Sequence, residues 1–301
     1  MDSSNIESLL GAEKIGLFDS GLGGLSVLSS FIDPESSLNR KEFIYIGDTK
    51  RCPYGNRSYA EIREFVIQLG VWLVKEGADA IVMACNTSAA LLAEEIKQTC
   101  PVKVVNLLEP TAAYVKEIGF RKVGVIATNT TARSKAFSRA VKASSARTEV
   151  FELGCPDLVP IVESGQFESE AAVDALRPYA KTLLEHNVDS IIFGCTHYPF
   201  LREAMATNIR QLAPRRNVTL IDPARVLTRE LSLAGGPTDG APRLDIATTG
   251  DAQDFAEKTA LLLGIDKSCL NVRNIPLSEL TAQETGLSPV PVEVISPSPI
   301  P

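Results

Sequence analysis

Two cysteines stand at matching places in the sequence. Cys85 lies in the segment IVMACNTSAA, and Cys195 lies in IIFGCTHYPF, 110 positions further along the 301-residue chain. Each follows an apolar run typical of a buried strand, and the carboxyl ends of such strands are where open α/β sheets bind ligands. One cysteine in such a place is more often structural than catalytic. The matching pair favours acid–base chemistry by two thiols.

The residues after Cys85 suit this chemistry. Asn86 and Thr87 can donate hydrogen bonds to a carboxylate. A helix is expected to begin at Thr87 or Ser88, and a helix N-terminus lowers the pKa of a nearby thiol toward neutrality. We therefore expect a lowered pKa at Cys85.

The residues after Cys195 add a basic group. Thr196 offers a further donor, and His197 can polarise the thiol or bind a carboxylate. A histidine taken alone is usually an ordinary polar residue, but this one adjoins a cysteine at the end of a strand.

A glycine-rich turn, DSGLGG, follows the first apolar run and begins at Asp19. With Asp48 after the second run, it could bind a dinucleotide, but Ser26 stands where the third glycine of that motif belongs. Asp19 would also repel a pyrophosphate. Asp19 is better suited to a substrate amino group, with Ser20 beside it for a carboxylate, although a simple helix cap explains this acid equally well.

The segment RCPYG, residues 51–55, places Tyr54 between Pro53 and Gly55. It is explained equally well as a rigid loop over a small ligand and as an ordinary turn.

Composition excludes several classes of protein. The net charge of −7 argues against binding to nucleic acid or to an anionic membrane. No segment approaches the ~20 apolar residues that span a bilayer. The first residues have no basic start and no apolar core, so a cytoplasmic location is expected. With two histidines and no CxxC pair, we expect no metal, and no cofactor signature is present.

Short apolar runs rich in Val and Ile alternate with amphipathic stretches such as 59–76 and 171–186, which predicts an α/β protein with parallel sheets. The runs predicted as strands are Ile15–Phe18, Phe43–Ile46, Ala80–Ala84, Lys103–Leu107, Val123–Ala127, Val150–Leu153, Ser190–Phe193 and Thr219–Ile221.

The sequence contains an internal repeat. The first strand and turn recur at Val123–Ala127 and Thr128, at nearly the same offset as the two cysteines. We expect two similar halves related by a pseudo-twofold axis, with their strand ends meeting across one cleft. Cys85 and Cys195 would then lie on opposite faces of a bound molecule, the arrangement that racemisation requires. One base removes the α-proton, and an acid returns a proton to the other face.

The sequence resembles the glutamate racemases of the aspartate/glutamate racemase family from about Lys14 to about Pro276. The segments that carry the resemblance are IGLFDSGLGGLSV, YIGDTKRCPYGNRS, ACNTSAA, ATNTTARSKAF, LVPIVESG and GCTHYPFL. It implies cofactor-independent racemisation of glutamate, supplying D-glutamate for peptidoglycan, with Cys85 acting on D-glutamate and Cys195 on L-glutamate. It also implies that Asp19, Glu163 and His197 assist the thiols. The substrate-binding residues that it implies are Asp19, Ser20, Tyr54, Gly55, Asn86, Thr87, Thr128, Thr131, Thr196 and His197.

The resemblance also implies a homodimer and two domains, one of residues 14–108 plus 222–278 and the other of residues 109–221. Residues 1–13 are then a flexible leader, and residues 279–301 a flexible, proline-rich tail. The chain departs from the family pattern at Ala127 and in the segment LEP at 108–110, and both departures leave the cysteines in place.

Three alternatives remain open at this point. An aspartate racemase uses the same chemistry, although the CTH triplet and the RCPYG loop favour glutamate. A nucleotide-binding oxidoreductase would use the glycine-rich turn and Asp48. A two-lobed amino-acid-binding protein without turnover would not need either thiol.

Overall fold

The computed structural model describes residues 3–236 and 240–280. Its strands are β1 (Lys14–Asp19), β2 (Glu42–Gly47), β3 (Ala80–Met83), β4 (Lys103–Asn106), β5 (Lys122–Ala127), β6 (Glu149–Gly154), β7 (Ser190–Phe193), β8 (Thr219–Ile221), β9 (Arg243–Thr248) and β10 (Val272–Asn274). Its α-helices are α1 (Ser3–Gly11), α2 (Leu25–Phe31), α3 (Tyr59–Lys75), α4 (Asn86–Thr99), α5 (Leu108–Ile118), α6 (Asn129–Ser134), α7 (Ala136–Ser144), α8 (Leu158–Glu163), α9 (Glu170–Glu185), α10 (Arg202–Leu212), α11 (Pro223–Gly235) and α12 (Ala252–Leu263).

The described strands form two parallel sheets. The first has the order β10-β9-β2-β1-β3-β4, and the second has the order β6-β5-β7-β8. The four strands β2-β1-β3-β4 of the first sheet therefore repeat the order of the whole second sheet. This confirms the α/β fold with two similar halves, and every apolar run expected to be a strand is one.

The N-terminal segment differs from the expectation of a flexible leader. Residues Ser3–Gly11 form α1, and Ile6 and Leu9 are buried against the first sheet and α11. The side chain of Asn5 donates a hydrogen bond to Glu109 at 3.4 Å. Apolar residues one helical turn apart explain why the segment docks. The tail predicted from residue 279 lies outside the described residues from 281 onward.

Three apolar clusters hold the sheets. One covers the face of the first sheet that packs on α1, α2 and α11, with Leu17 and Phe43 at its centre. A second covers the face of the second sheet that packs on α8, α9 and α10, including Phe193. The third runs from α3 and α4 to α7 and contains residues of both sheets, including Phe18 and Val125. This shared cluster joins the halves next to the strand ends.

Side-chain caps begin several helices. Ser58 accepts a hydrogen bond from the backbone N–H of Glu61, whose carboxylate accepts one from Ser58 in return, so α3 starts with a capping box. Asp222 caps α11 in the same position, and Pro223 follows it as the first helical residue. At the other end of α5, Gly119 has a φ of 82°, the left-handed conformation that commonly closes a helix.

The chain crosses between the sheets twice, from β4 into α5 and from β8 into α11. These two helices pack together, and Arg229 of α11 makes two hydrogen bonds to Glu117 of α5, at 2.7 and 3.0 Å. Among the described helices, none is long and apolar enough to cross a membrane.

Candidate active site

A narrow pocket with a volume of about 20 Å³ lies where the carboxyl ends of the two sheets meet. Both Cys85, directly after β3 and Ala84, and Cys195, after β7 and Gly194, line it. The remaining lining residues are Ser20, Pro53, Tyr54, Gly55, Asn86, Thr87, Thr128, Val159, Thr196 and His197. The structure thus brings most of the site residues expected from the sequence around one space. The other three do not line it but contact residues that do: Asp19 contacts Thr196, Glu163 contacts His197, and Thr131 contacts Thr87. Val159 lines the pocket as well and was not predicted from the sequence, because an apolar lining residue carries no sequence signal of its own.

Cys195 has a basic partner that is itself held by an acid. The Cys195 sulfur lies 3.7 Å from Nδ1 of His197, and Nε2 of His197 lies 2.6 Å from Glu163. Burial alone would lower the pKa of His197, but the contacts with Cys195 and Glu163 raise it well above its ordinary value. Burial likewise opposes ionisation of Glu163, yet the histidine holds the pKa of Glu163 below its usual range. At neutral pH this pair is imidazolium and carboxylate, and the imidazolium can donate to the Cys195 sulfur.

Cys85 lies in a different environment. It is the N-cap of α4, which begins at Asn86, one or two residues earlier than expected. Burial, together with the negative charge of Asp19, raises the pKa of the Cys85 thiol to about 12. The expected lowering by the helix N-terminus is therefore wrong, because desolvation of the thiolate outweighs the donors that α4 provides.

Asp19 connects the two halves of the site. It is fully buried, it accepts a hydrogen bond from Oγ1 of Thr196 at 3.1 Å, and it accepts one from the backbone N–H of Gly21. Burial raises the pKa of its carboxyl group, although the charge of His197 opposes the shift. A substrate ammonium group would be a further counter-ion for this carboxylate.

Three threonines form a cluster of hydroxyl groups at the second wall of the pocket. Thr87 lies 3.1 Å from both Thr128 and Thr131, and these two lie 2.9 Å apart. Next to the cluster, Thr130 donates a hydrogen bond to the carbonyl of Gly55 at 2.8 Å. The three clustered threonines can therefore donate hydrogen bonds to a carboxylate. Thr130 helps to fix the loop that carries Tyr54.

The same loop depends on a buried acid. The carboxylate of Asp48 is inaccessible to solvent and accepts hydrogen bonds from Arg51, Tyr54 and Thr249. It is already committed to holding the loop, so it is not available to a ribose. This placement removes the main support for a dinucleotide site at the glycine-rich turn.

One polar group of the pocket has no partner within the part of the chain that the structure describes. Oδ1 of Asn86 is buried and accepts no hydrogen bond there, so it is available to a bound molecule. Across residues 3–236 and 240–280, no three His, Cys, Asp or Glu side chains form a group able to hold a metal ion.

Comparison with known proteins gives consistent matches. The family model of Asp/Glu/hydantoin racemases matches residues 34–231. A glutamate racemase of Trichodesmium erythraeum is 36% identical over 257 residues, which cover 84% of this chain and 92% of that protein. One from Enterococcus faecalis is 37% identical over 262 residues, covering 84% and 93%.

A solved structure shows the same likeness in three dimensions. The crystal structure of a glutamate racemase isoform from Bacillus anthracis matches with a TM-score of 0.75 and 30% identity, covering 88% of this chain and 98% of that one.

Proposed function

The chain belongs to the Asp/Glu/hydantoin racemase family, and on that premise we propose that it interconverts L- and D-glutamate by proton transfer through Cys85 and Cys195. The observation that carries the proposal is that both thiols line one pocket, each at the strand end of a different sheet. A molecule bound between them can exchange a proton on either face.

The reaction needs one thiolate and one thiol. The thiolate takes the α-proton, and the thiol gives its own proton to the opposite face of the resulting carbanion. The configuration at the α-carbon inverts, and the two sulfurs exchange their protonation states. The imidazolium of His197 stabilises negative charge on Cys195, whereas burial keeps Cys85 protonated at neutral pH. Following the resemblance, we assign proton removal from L-glutamate to Cys195 and proton removal from D-glutamate to Cys85.

The substrate is held by groups that do not move the proton. Asp19 pairs with the α-amino group, and Ser20, Asn86 and Thr87 donate to the carboxylates. Donors fixed in a site that excludes water stabilise the negative charge of the carbanion, so the reaction needs no cofactor. Thr128, Thr131 and Thr196 extend this set of donors, and Tyr54 and Gly55 cover the substrate.

The wider role follows the same resemblance. We propose that the D-glutamate enters peptidoglycan synthesis, and that the enzyme acts in the cytoplasm as a homodimer. We also propose two domains, one of residues 14–108 plus 222–278 and one of residues 109–221.

Incubation of the pure protein with L-glutamate in D₂O, without added cofactor, tests the activity. Optical rotation should fall to zero as deuterium enters at the α-carbon. L-aspartate in a parallel sample should react much more slowly. Failure of solvent exchange from both enantiomers of glutamate would refute the proposed reaction, and faster exchange of aspartate would transfer it to that substrate.

Single substitutions of the thiols test the mechanism. Cys85→Ser and Cys195→Ser should each lower kcat/KM by about 10²- to 10⁴-fold, because a hydroxyl is a far weaker acid–base group than a thiol. Cys100→Ser is the matched control, since Cys100 is a buried free cysteine that does not line the pocket. A binding protein without turnover, or an enzyme using other groups, would show no difference between these variants and the control.

A further inference from the structure

Ser88 is a buried hydroxyl beside the active-site thiol that has no role in the reaction described above. Its side chain is inaccessible to solvent, and its Oγ has no hydrogen-bond partner in the part of the chain that the structure describes. A buried hydroxyl without a partner is unfavourable by roughly 1–3 kcal/mol, so such groups are uncommon in folded proteins.

The position of Ser88 on the helix places this hydroxyl near Cys85. Cys85 is the N-cap of α4 and Ser88 is the third helical residue after it. The side chain of an N-cap residue commonly accepts a hydrogen bond from the backbone N–H of the second or third helical residue, although Cys85 accepts no such capping bond in this structure. A negative charge on the Cys85 sulfur would therefore meet two donors, the N–H and the hydroxyl of Ser88.

The other titratable groups near Cys85 do not provide this stabilisation. Asp19, Tyr45, Cys52, Tyr54 and Cys195 act on it, and each of these groups is either neutral or negatively charged. His197 lines the same pocket, but its ring nitrogens contact Cys195 and Glu163. Hydrogen bonds from the hydroxyl and the N–H of Ser88 to the ionised sulfur lower the pKa of Cys85 against the larger effect of burial. Among residues 3–236 and 240–280, no histidine contacts Cys85 in the way that His197 contacts Cys195.

We propose that Ser88 is a positioning residue for Cys85. Its hydroxyl donates a hydrogen bond to the Cys85 sulfur only when that sulfur is a thiolate. This inference rests on the proposed role of Cys85 as one of the two acid–base groups. The hydroxyl stabilises the charge that develops on Cys85 as it protonates the carbanion. The same contact operates in reverse when Cys85 is the base.

Replacement of this hydroxyl has a defined kinetic consequence. The two enantiomers have equal free energies in solution, so kcat/KM must change by the same factor in both directions. Loss of a hydrogen bond to a charged group should lower it roughly tenfold for L- and for D-glutamate alike in Ser88→Ala. The free energy of unfolding should stay the same or rise, because a buried hydroxyl without a partner is removed.

The ionisation of Cys85 can be measured without any turnover. Iodoacetamide reacts with thiolates, and peptide mass spectrometry reports the alkylation rate of each cysteine separately. At one fixed pH below the pKa of Cys85, Ser88→Ala should lower the alkylation rate of Cys85 roughly tenfold. The rate at Cys195 in the same sample should be unchanged, which excludes a general change in access to the pocket.

Thr259→Val is the matched control, because Thr259 on α12 also has a buried hydroxyl without a partner in the described residues and does not line the pocket. It should leave kcat/KM and both alkylation rates unchanged. Equal alkylation of Cys85 in Ser88→Ala and the parent would overturn the inference, as would a loss of stability with parallel changes at both cysteines. A parent protein that alkylates as expected but does not racemise glutamate would refute the proposed function instead.

Discussion

His197 makes the two sulfurs chemically unequal. It links Cys195 to Glu163, and the pKa of the histidine is raised while that of the glutamate is lowered. Cys85 has only the start of α4 and Ser88 to oppose burial and the charge of Asp19. A change in the His197–Glu163 pair should therefore affect the ionisation of the Cys195 sulfur more than that of the Cys85 sulfur.

Glu163→Gln should reduce the free energy of unfolding by about 1–3 kcal/mol, because a neutral amide is a weaker partner for a buried imidazolium. The lowered pKa of Glu163 makes its contribution complete above 4.5, and this contribution is lost as the pH falls through the lowered pKa. The raised pKa of His197 makes its contribution complete below 6.5, and this is lost as the pH rises through the raised value. Urea unfolding over a pH series should show the largest difference from the parent between these two limits.

Glu168→Gln is the control for this experiment, since Glu168 is an exposed residue a few positions further on. It should unfold like the parent at every pH. A difference between Glu163→Gln and the parent that does not shrink in acid would contradict the assigned ion pair.

At the scale of elements, the site depends on how the loop at 51–56 meets the start of α6. Asp48 holds the loop by accepting a hydrogen bond from the hydroxyl of Tyr54, and Thr130 of α6 holds it by donating one to the carbonyl of Gly55. The loop and the start of α6 are close together, because a Cβ atom at Gly55 would lie 3.2 Å from the Cβ of Thr128. A hydrogen bond from α6, in the second half of the molecule, thus adds to the bonds of Asp48 in holding a loop of the first half.

Thr130→Val should lower kcat/KM roughly two- to tenfold, the effect of losing one neutral hydrogen bond. The change should come mainly from KM, because Thr130 contacts the loop and not the thiols. Steady-state kinetics in both directions would measure it. Thr130→Ser keeps the hydroxyl and should recover most of the activity, and a serine variant as impaired as the valine variant would exclude this role.

Strands of the sheet interiors were predictable because parallel strands buried on both faces are continuous apolar runs. The strand β9, RLDIAT, was missed because Arg243 and Asp245 interrupt its apolar pattern. Asp245 is tolerated there since Arg273 of the neighbouring β10 pairs with it at 2.8 Å. A partner 28 positions away is not visible in a local pattern.

Some features of the site were likewise predictable from the sequence, and others were not. Cys85 and Cys195 could be proposed from their matching positions at strand ends, and both line the pocket. Glu163 was implied only by resemblance, because nothing near it in sequence shows that it contacts His197. The raised pKa of Cys85 was not predictable either, since it depends on how deeply folding buries the thiol and on the approach of Asp19.

At the scale of the whole molecule, the glycine-rich turn of the first half fits against the CTH segment of the second. Ser26 donates to the carbonyl of Thr196 at 2.9 Å, and the backbone N–H of Leu22 donates to Glu163 at 3.3 Å. Between these contacts, a Cβ at Gly23 would collide with His197 and Thr196. The closed arrangement of the two halves therefore requires glycine at this position.

Gly23→Ala should lower kcat/KM by about 10²-fold or more, because the halves can no longer approach closely enough to align both thiols. Small-angle X-ray scattering should show a larger radius of gyration than for the parent. Gly11→Ala is the control, as a Cβ there meets nothing within 4 Å. Full activity of Gly23→Ala would show that the contact does not govern closure.

The unequal surroundings of the two sulfurs have a consequence for successive turnovers. In the proposed mechanism, each conversion of L- to D-glutamate leaves the proton on Cys195 and the negative charge on Cys85, and this form accepts D-glutamate. The protonation states of the two sulfurs thus depend on the last enantiomer converted, until protons exchange between the sulfurs and solvent. His197 and Glu163 give Cys195 a route for that exchange, and Cys85 has no such relay among the described residues. At high substrate concentration, we therefore expect recovery of the starting form, rather than proton transfer at the α-carbon, to limit the rate.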